Sequence, residues 1–231
     1  MFDAKKLLDQ FLGSQVPGAN GSVKQKAGDI VQLAKDNPLA TGAIAAVLLG
    51  TKTGRSLGGN ALKLGGLAAI AGLGYQAYKN YQAGKAPQEA ASSEPELLPP
   101  PADSPFSPDA PAAGEDFVLA LVRAMIAAAK ADGHIDTEER RRIMDKVHLS
   151  GLGAEAETFI EAELSAPTDL DSLVAAAKTE EQKVELYTAS RLAIEPESRA
   201  ERGYLDLLAG RLGLADALVD HIEATVSAAK V

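Results

Sequence analysis

Glu115-Asp116-Phe117-Val118-Leu119-Ala120-Leu121-Val122-Arg123-Ala124-Met125-Ile126-Ala127-Ala128-Ala129 runs into Lys130-Ala131-Asp132-Gly133-His134-Ile135-Asp136-Thr137-Glu138-Glu139. Phe117, Leu121, Met125 and Ala128 share one helical stripe, with Val118, Val122, Ile126 and Ala129 beside it, and Gly133 marks the stop. An apolar helix, an acidic bend and a new helix form the unit from which the rest of the chain is read. Helical spacing returns at Ile143 and Val147, at Phe159 and Leu164, and at Leu170, Leu173 and Val174. It returns again at Leu186 and Leu192, at Leu205, Leu208 and Leu212, and at Leu218, Val219, Ile222 and Val226. Thr179 with Gln182 and Ser198 with Glu201 stand at capping-box spacing, and Gly151, Gly153 and Gly213 are stops. No alternating strand pattern interrupts the series, so residues 115–231 read as a compact all-α bundle of about seven helices.

Charge divides the 231 residues into three stretches. Residues 1–86 carry 10 Lys and Arg against 4 Asp, residues 87–116 carry 7 acids and no base, and residues 117–231 carry 21 acids against 13 bases. The body is acidic, which disfavours nucleic acid, since phosphate binding needs a positive patch and counterion release. No Cys is present, which excludes thiolate metal sites, disulfides and cysteine nucleophiles. Three scattered His and the absence of a nucleophile elbow make a conventional hydrolase a poor fit, so no enzymatic activity is expected.

Eight of the twelve prolines lie between Pro87 and Gly114, with acids and no hydrophobic period. Residues 87–114 therefore read as an extended, disordered linker between a basic head, 1–86, and the helical body, 115–231. In the head, Leu7, Leu8, Phe11 and Leu12 form the stripe of a short amphipathic helix, and a second helix is expected from Ser22 to Asp36. From Leu39 to Tyr81 the chain turns to Gly, Ala and Leu, with uncharged runs at Asn37–Thr51 and Leu64–Tyr78. Gly42, Ala46, Gly50, Gly54 and Gly58 recur every fourth residue, a face along which another helix approaches closely and copies of the chain self-associate. Each glycine costs roughly 1 kcal/mol in a helix relative to Ala, so lipid or a tight partner is needed as compensation. Three readings stand: one membrane pass over about Ala61 to Tyr81, a helical hairpin turning near Lys52–Asn60, and a helical pair that packs on itself. Lys63 and Lys79 suit snorkelling, and Tyr75, Tyr78 and Tyr81 suit a headgroup interface.

Two bends in the body are alike. Asp132-Gly133-His134-Ile135-Asp136 leads to Glu139, and Glu195-Pro196-Glu197-Ser198 leads to Glu201: an acid, a tight turn, then an acid one turn into the next helix. Hard cations take six or more oxygens, which two such bends brought together supply in part. Capping explains the same residues, with Asp136 and Ser198 at helix starts and Glu139 and Glu201 at third positions.

The Ala-x-Ala-Asp-Gly-x-Ile-Asp-x-x-Glu run, the acid-Pro-acid turn about sixty residues on, and Tyr204-Leu205-x-Leu-Leu-Ala-x-Arg-Leu-Gly-Leu together resemble the TerB-like domain of bacterial tellurite-resistance proteins. A Gly-rich apolar segment in front is similar to the YebE-like inner-membrane proteins. The resemblance implies an all-helical fold whose clustered acids bind Ca²⁺ or another divalent metal. Its candidate ligands here are Asp132, Asp136 and Glu139 in the first turn and Glu195, Glu197 and Glu201 in the second. Glu195 replaces an Asp and Pro196 a Gly of the family pattern, which weakens the second half. The expected protein is associated with the bacterial inner membrane through residues 39–81, with its helical body at the cytoplasmic face as an interaction or metal-sensing module in a stress or tellurite-type response. The alternative expectation is a soluble Ca²⁺-binding stress protein that self-associates through its Gly-rich head.

Overall fold

The computed structural model describes residues 2–12, 66–87, 99–133, 135, 137–149 and 151–229. Among them are nine α-helices and no strand. They are α1 (Ala4–Phe11), α2 (Gly66–Gln82), α3 (Glu115–Ala129), α4 (Thr137–Leu149), α5 (Ala154–Ser165), α6 (Leu170–Ala176), α7 (Glu180–Ala193), α8 (Arg199–Leu212) and α9 (Asp216–Ala229). The seven helices expected after residue 115 are α3 to α9. The expected helix at Ser22–Asp36, the run Asn37–Thr51 and the small-residue positions Gly42, Gly50, Gly54 and Gly58 lie outside the described residues.

Helices α3 and α7 form the centre, and both are buried on nearly every side. Glu115 and Asp116 sit in the first turn of α3, where negative charge complements the helix dipole. The capping box at the start of α7 is complete: Thr179 Oγ1 accepts from the Gln182 amide, and Gln182 Oε1 accepts from the Thr179 amide. Gln182 Nε2 then donates to the Ala112 carbonyl at 2.8 Å, just ahead of α3, while Ser190 Oγ donates to the Ala124 carbonyl at 3.3 Å. Advancing along α7 therefore matches advancing along α3, so the two run parallel and finish at the same end of the bundle.

Around this pair, α8 packs on α7 and α3, α9 on α7, and α6 between α3 and α8. Helices α4 and α5 form a hairpin across Gly151 and Gly153, both in the left-handed region with φ of 70° and 88°. Arg140 of α4 reaches the end of α5, donating to Glu161, to Ser165 Oγ and to the Leu164 carbonyl. With Arg141 paired to Asp145, these two of the three consecutive arginines pair with nearby acids on the helix face.

The two described helices of the basic head belong to the same core. Leu7, Leu8, Phe11 and Leu12 of the α1 stripe, and Leu67, Ile70 and Leu73 of α2, are buried in one cluster with Phe117, Leu121, Leu186 and Ile222. Helix α1 lies on α3 and α2, and α2 lies on α7 and α9. The close approach that α2's glycines permit is used by the protein itself: a Cβ on Gly74 would stand 3.2 Å from Val184 Cγ1 and 3.5 Å from Phe106. Across residues 99–114, part of the stretch expected as a linker, the chain runs through turns with Phe106 only 2% exposed, its ring against Tyr75 and Tyr78. A single large aromatic in a proline-rich segment supplies the anchor that composition averages away. None of the described helices is long and apolar enough to cross a membrane.

Candidate functional site

Both acidic bends leave the same end of the bundle, because each follows the C-terminus of one member of the parallel pair. In the first, the chain exits α3 through Lys130, and Gly133, at φ 107°, turns it with its amide donating to the Lys130 carbonyl at 2.9 Å. Only glycine takes that backbone conformation without strain, which is why the bend can be this tight. Asp132 is exposed beside it. Asp136 and His134 lie outside the described residues. Glu139 is in the first turn of α4, and its side chain is likewise outside the description.

The second bend is fully described. Ile194 is buried, while Glu195 and Glu197 are exposed, and the Glu197 amide donates to the Glu195 carbonyl at 2.7 Å. Arg202 pins the bend from α8, donating to the carbonyls of Pro196 at 2.9 Å and Glu197 at 2.8 Å. Glu201 Oε2 accepts from the Ser198 amide at 2.8 Å, and Ser198 Oγ accepts from the Glu201 amide at 3.1 Å. The Glu201 carboxylate is therefore engaged as a helix cap. Among the described residues no group of three or more His, Asp and Glu stands in a metal-holding arrangement.

What holds the second bend lies beneath it, in residues that periodicity does not single out. Arg191, 4% exposed, donates from Nε to Glu223 Oε2 at 2.5 Å, from one terminal nitrogen to the Ile194 carbonyl at 2.9 Å, and from the other to Ser227 Oγ at 3.2 Å. Tyr187 donates to the other oxygen of Glu223 at 2.9 Å, and burial drives its hydroxyl well above its usual range. A buried cation is thus answered by a carboxylate and satisfies the carbonyl with which α7 gives way to the bend. On the opposite flank Ser190 and Tyr204 share the Ala124 carbonyl, and burial pushes the Tyr204 hydroxyl up to about 12.

Two other polar groups are buried on the central helices. Glu185 on α7 is 5% exposed, and burial, reinforced by the charge of Glu181, pushes its carboxyl up to about 8. His221 on α9 is buried against Tyr81, ring centres 6.1 Å apart, and its Nδ1 has no partner among the described residues. A groove of about 580 Å³ between α3 and α6 is lined by Arg123, Lys130, Glu163 and Ser172 among others, and neither Asp132 nor Glu195 borders it. The sequence signal for Arg191 is limited to its being a basic residue in the last turn of α7.

Residues 34–226 match the model of a family described as protein of unknown function, DUF533. A protein of Yersinia enterocolitica, described as "Uncharacterized protein in ampR 5'region", is 32% identical over 106 residues, which are 46% of this chain and 76% of the relative. No solved structure matches the chain.

Proposed function

The chain belongs to the DUF533 family, which is TerB-like, and on that footing we propose that it is a non-enzymatic, YebE-like protein of the bacterial inner membrane. In this reading the apolar part of residues 39–81 that α2 does not use enters the membrane, and the helical body stays at the cytoplasmic face as an interaction module.

One observation carries the reading. The Gly66 amide donates to Asp9 Oδ1 at 2.5 Å, and a Cβ on Gly66 would stand 3.0 Å from both the Leu8 carbonyl oxygen and Leu12 Cδ1. Leu12 and Gly66, the residues that flank 13–65, are therefore neighbours on the body. The intervening residues 13–65 include the uncharged run Asn37–Thr51 and the basic residues Lys52, Arg55 and Lys63. A segment tied at both ends to one place on a folded body suits an out-and-back insertion, and of the sequence readings it favours the hairpin over the single pass. Fractionation tests membrane association: the full-length chain is expected to stay with membranes at high salt and to need detergent for release. Recovery in the high-salt supernatant would sink it.

A second reading rests on the two acidic bends sharing one end of the bundle. There Asp132, Asp136, Glu139, Glu195 and Glu197 would offer oxygens to Ca²⁺ or a similar hard cation, with Glu201 contributing only if it gives up its cap. This makes the module a sensor of divalent metal in a stress or tellurite-type response, whether the head is in lipid or self-associates through its small-residue face.

A further inference from the structure

Among the described residues α2 begins at Gly66, and the first amides of a helix have no acceptor within it. The positions just ahead, Lys63, Leu64 and Gly65, offer no side-chain oxygen to take one. What the Gly66 amide meets comes from 57 positions earlier: Asp9 Oδ1, at 2.5 Å. Helix α1 is capped differently. Asp3 stands at its own start and accepts from the Lys6 amide at 3.1 Å, a local cap of the ordinary kind. Asp9 is half-buried, and burial raises its carboxyl above the ordinary carboxylate range, against the pull of the Gly66 amide. A negative group placed at that end of α2 complements the helix dipole. The two backbones are close enough that a Cβ on Gly66 would stand 3.0 Å from the Leu8 carbonyl oxygen. Helix α1 in turn is eight residues long, too short to hold a helix alone in water, and its Leu7, Leu8 and Phe11 are buried against the body. Undocking α1 therefore removes its own support and the cap of α2 in one step.

We infer that Asp9 is the cap of α2 supplied from outside its own sequence, and that α1 and the first turn of α2 open and close as one unit, a latch across the two ends of the stretch 13–65. Such a unit opens below the free energy of global unfolding, because α3, α7 and α9 keep their mutual packing when it does. The latch stands on these contacts alone and holds whether or not residues 13–65 meet lipid. Asp9 is a positioning residue in it: its carboxylate sets where α2 starts and ties that start to the docking of α1.

Residue-resolved hydrogen exchange on the full-length chain tests this, with the amides of α7 and α9 as the check that the body remains folded. In Asp9→Ala the protection of the Gly66 amide and of the α1 amides is expected to fall together, by about tenfold. Asp9→Asn keeps an acceptor oxygen and is expected to stay within about threefold of the parent. Asp3→Ala separates a latch from two independent caps, since Asp3 caps α1 and the Gly66 amide is held by Asp9. If α1 and the start of α2 are one unit, Asp3→Ala lowers Gly66 protection by the same factor as that of the α1 amides, about fivefold. A Gly66 amide that holds its protection while α1 loses it in Asp3→Ala, an Asp9→Ala chain whose Gly66 amide is as protected as the parent's, or an Asp9→Asn loss as large as that of Asp9→Ala would each overturn the inference. Should Asp9→Ala fail the check on α7 and α9, the Asp3→Ala comparison decides.

Discussion

The guanidinium of Arg191 holds the carboxylate of Glu223 at 2.5 Å beneath the Glu195–Glu197 bend, joining α7 to α9. Removing one member leaves the other partly desolvated and unanswered. Arg191→Met is expected to destabilise by roughly 2–4 kcal/mol, discounted because Glu223 retains some solvent contact. Arg191→Met with Glu223→Leu is expected to recover more than half of that loss. Urea unfolding of the three chains measures both, and an additive double variant would show that the pair is not coupled.

Glu185 sets a pH dependence with a definite sign. Its carboxyl is raised from an ordinary value of 4.5 to about 8, so between those values the folded chain keeps a proton that the unfolded chain has lost. Stability from this group is full below pH 4.5, falls as pH rises through the window, and is lowest above about 8. Glu185→Gln, which cannot ionise, is expected to match the parent near pH 4.5 and to exceed it by roughly 3–5 kcal/mol near pH 9. Equal slopes of stability against pH for the two chains would contradict this placement of the carboxyl.

Three glycines on helices separate close approach from idle flexibility. At Gly66 an added Cβ meets a backbone oxygen at 3.0 Å, so Gly66→Ala is expected to cost about 1–3 kcal/mol. Gly74 meets the Val184 side chain at 3.2 Å rather than backbone, so Gly74→Ala is expected to cost less than Gly66→Ala. Around Gly203 on α8 nothing lies within 4 Å, and Gly203→Ala is expected to stabilise by about 0.5–1 kcal/mol. Thermal melts that fail to order the three in this way would count against the α1–α2 crossing.

The metal reading is tested on the full chain. Ca²⁺ is expected to raise the melting temperature of the parent, and Asp132→Ala with Glu139→Ala is expected to abolish that rise. An unchanged parent melt would leave capping and solvation as the whole account of the acidic bends.

The body was legible because helix signals are local. Thr179 with Gln182 and Ser198 with Glu201 form the capping boxes their spacing announces, Gly213 closes α8 at φ 69°, and the apolar stripes of α3 and α9 face the core. The apolar face of α1 was equally visible, but not what it faces, because a stripe specifies burial and not a partner. Hydropathy likewise could not tell lipid from protein for α2, whose Ile70 and Leu73 are buried in the core. The proline-rich composition of 87–114 concealed Phe106, and Arg191 was hidden because its partner Glu223 is remote in sequence. For the acidic bends, their position at one end of the bundle depends on the parallel run of α3 and α7, which rests on Gln182 and Ser190 reaching backbone carbonyls no motif encodes.

Helices α1 and α2 share one core with the body, which brings the two ends of the stretch 13–65 together and, in the proposed function, places both on the cytoplasmic side. Single cysteines at exposed Lys5 and Lys85, probed in right-side-out and inverted membrane vesicles with a membrane-impermeant maleimide, test it most directly. Both positions are predicted to react only in inverted vesicles, where the cytoplasmic face is outward. Reaction of one position from each side of the membrane would contradict the account.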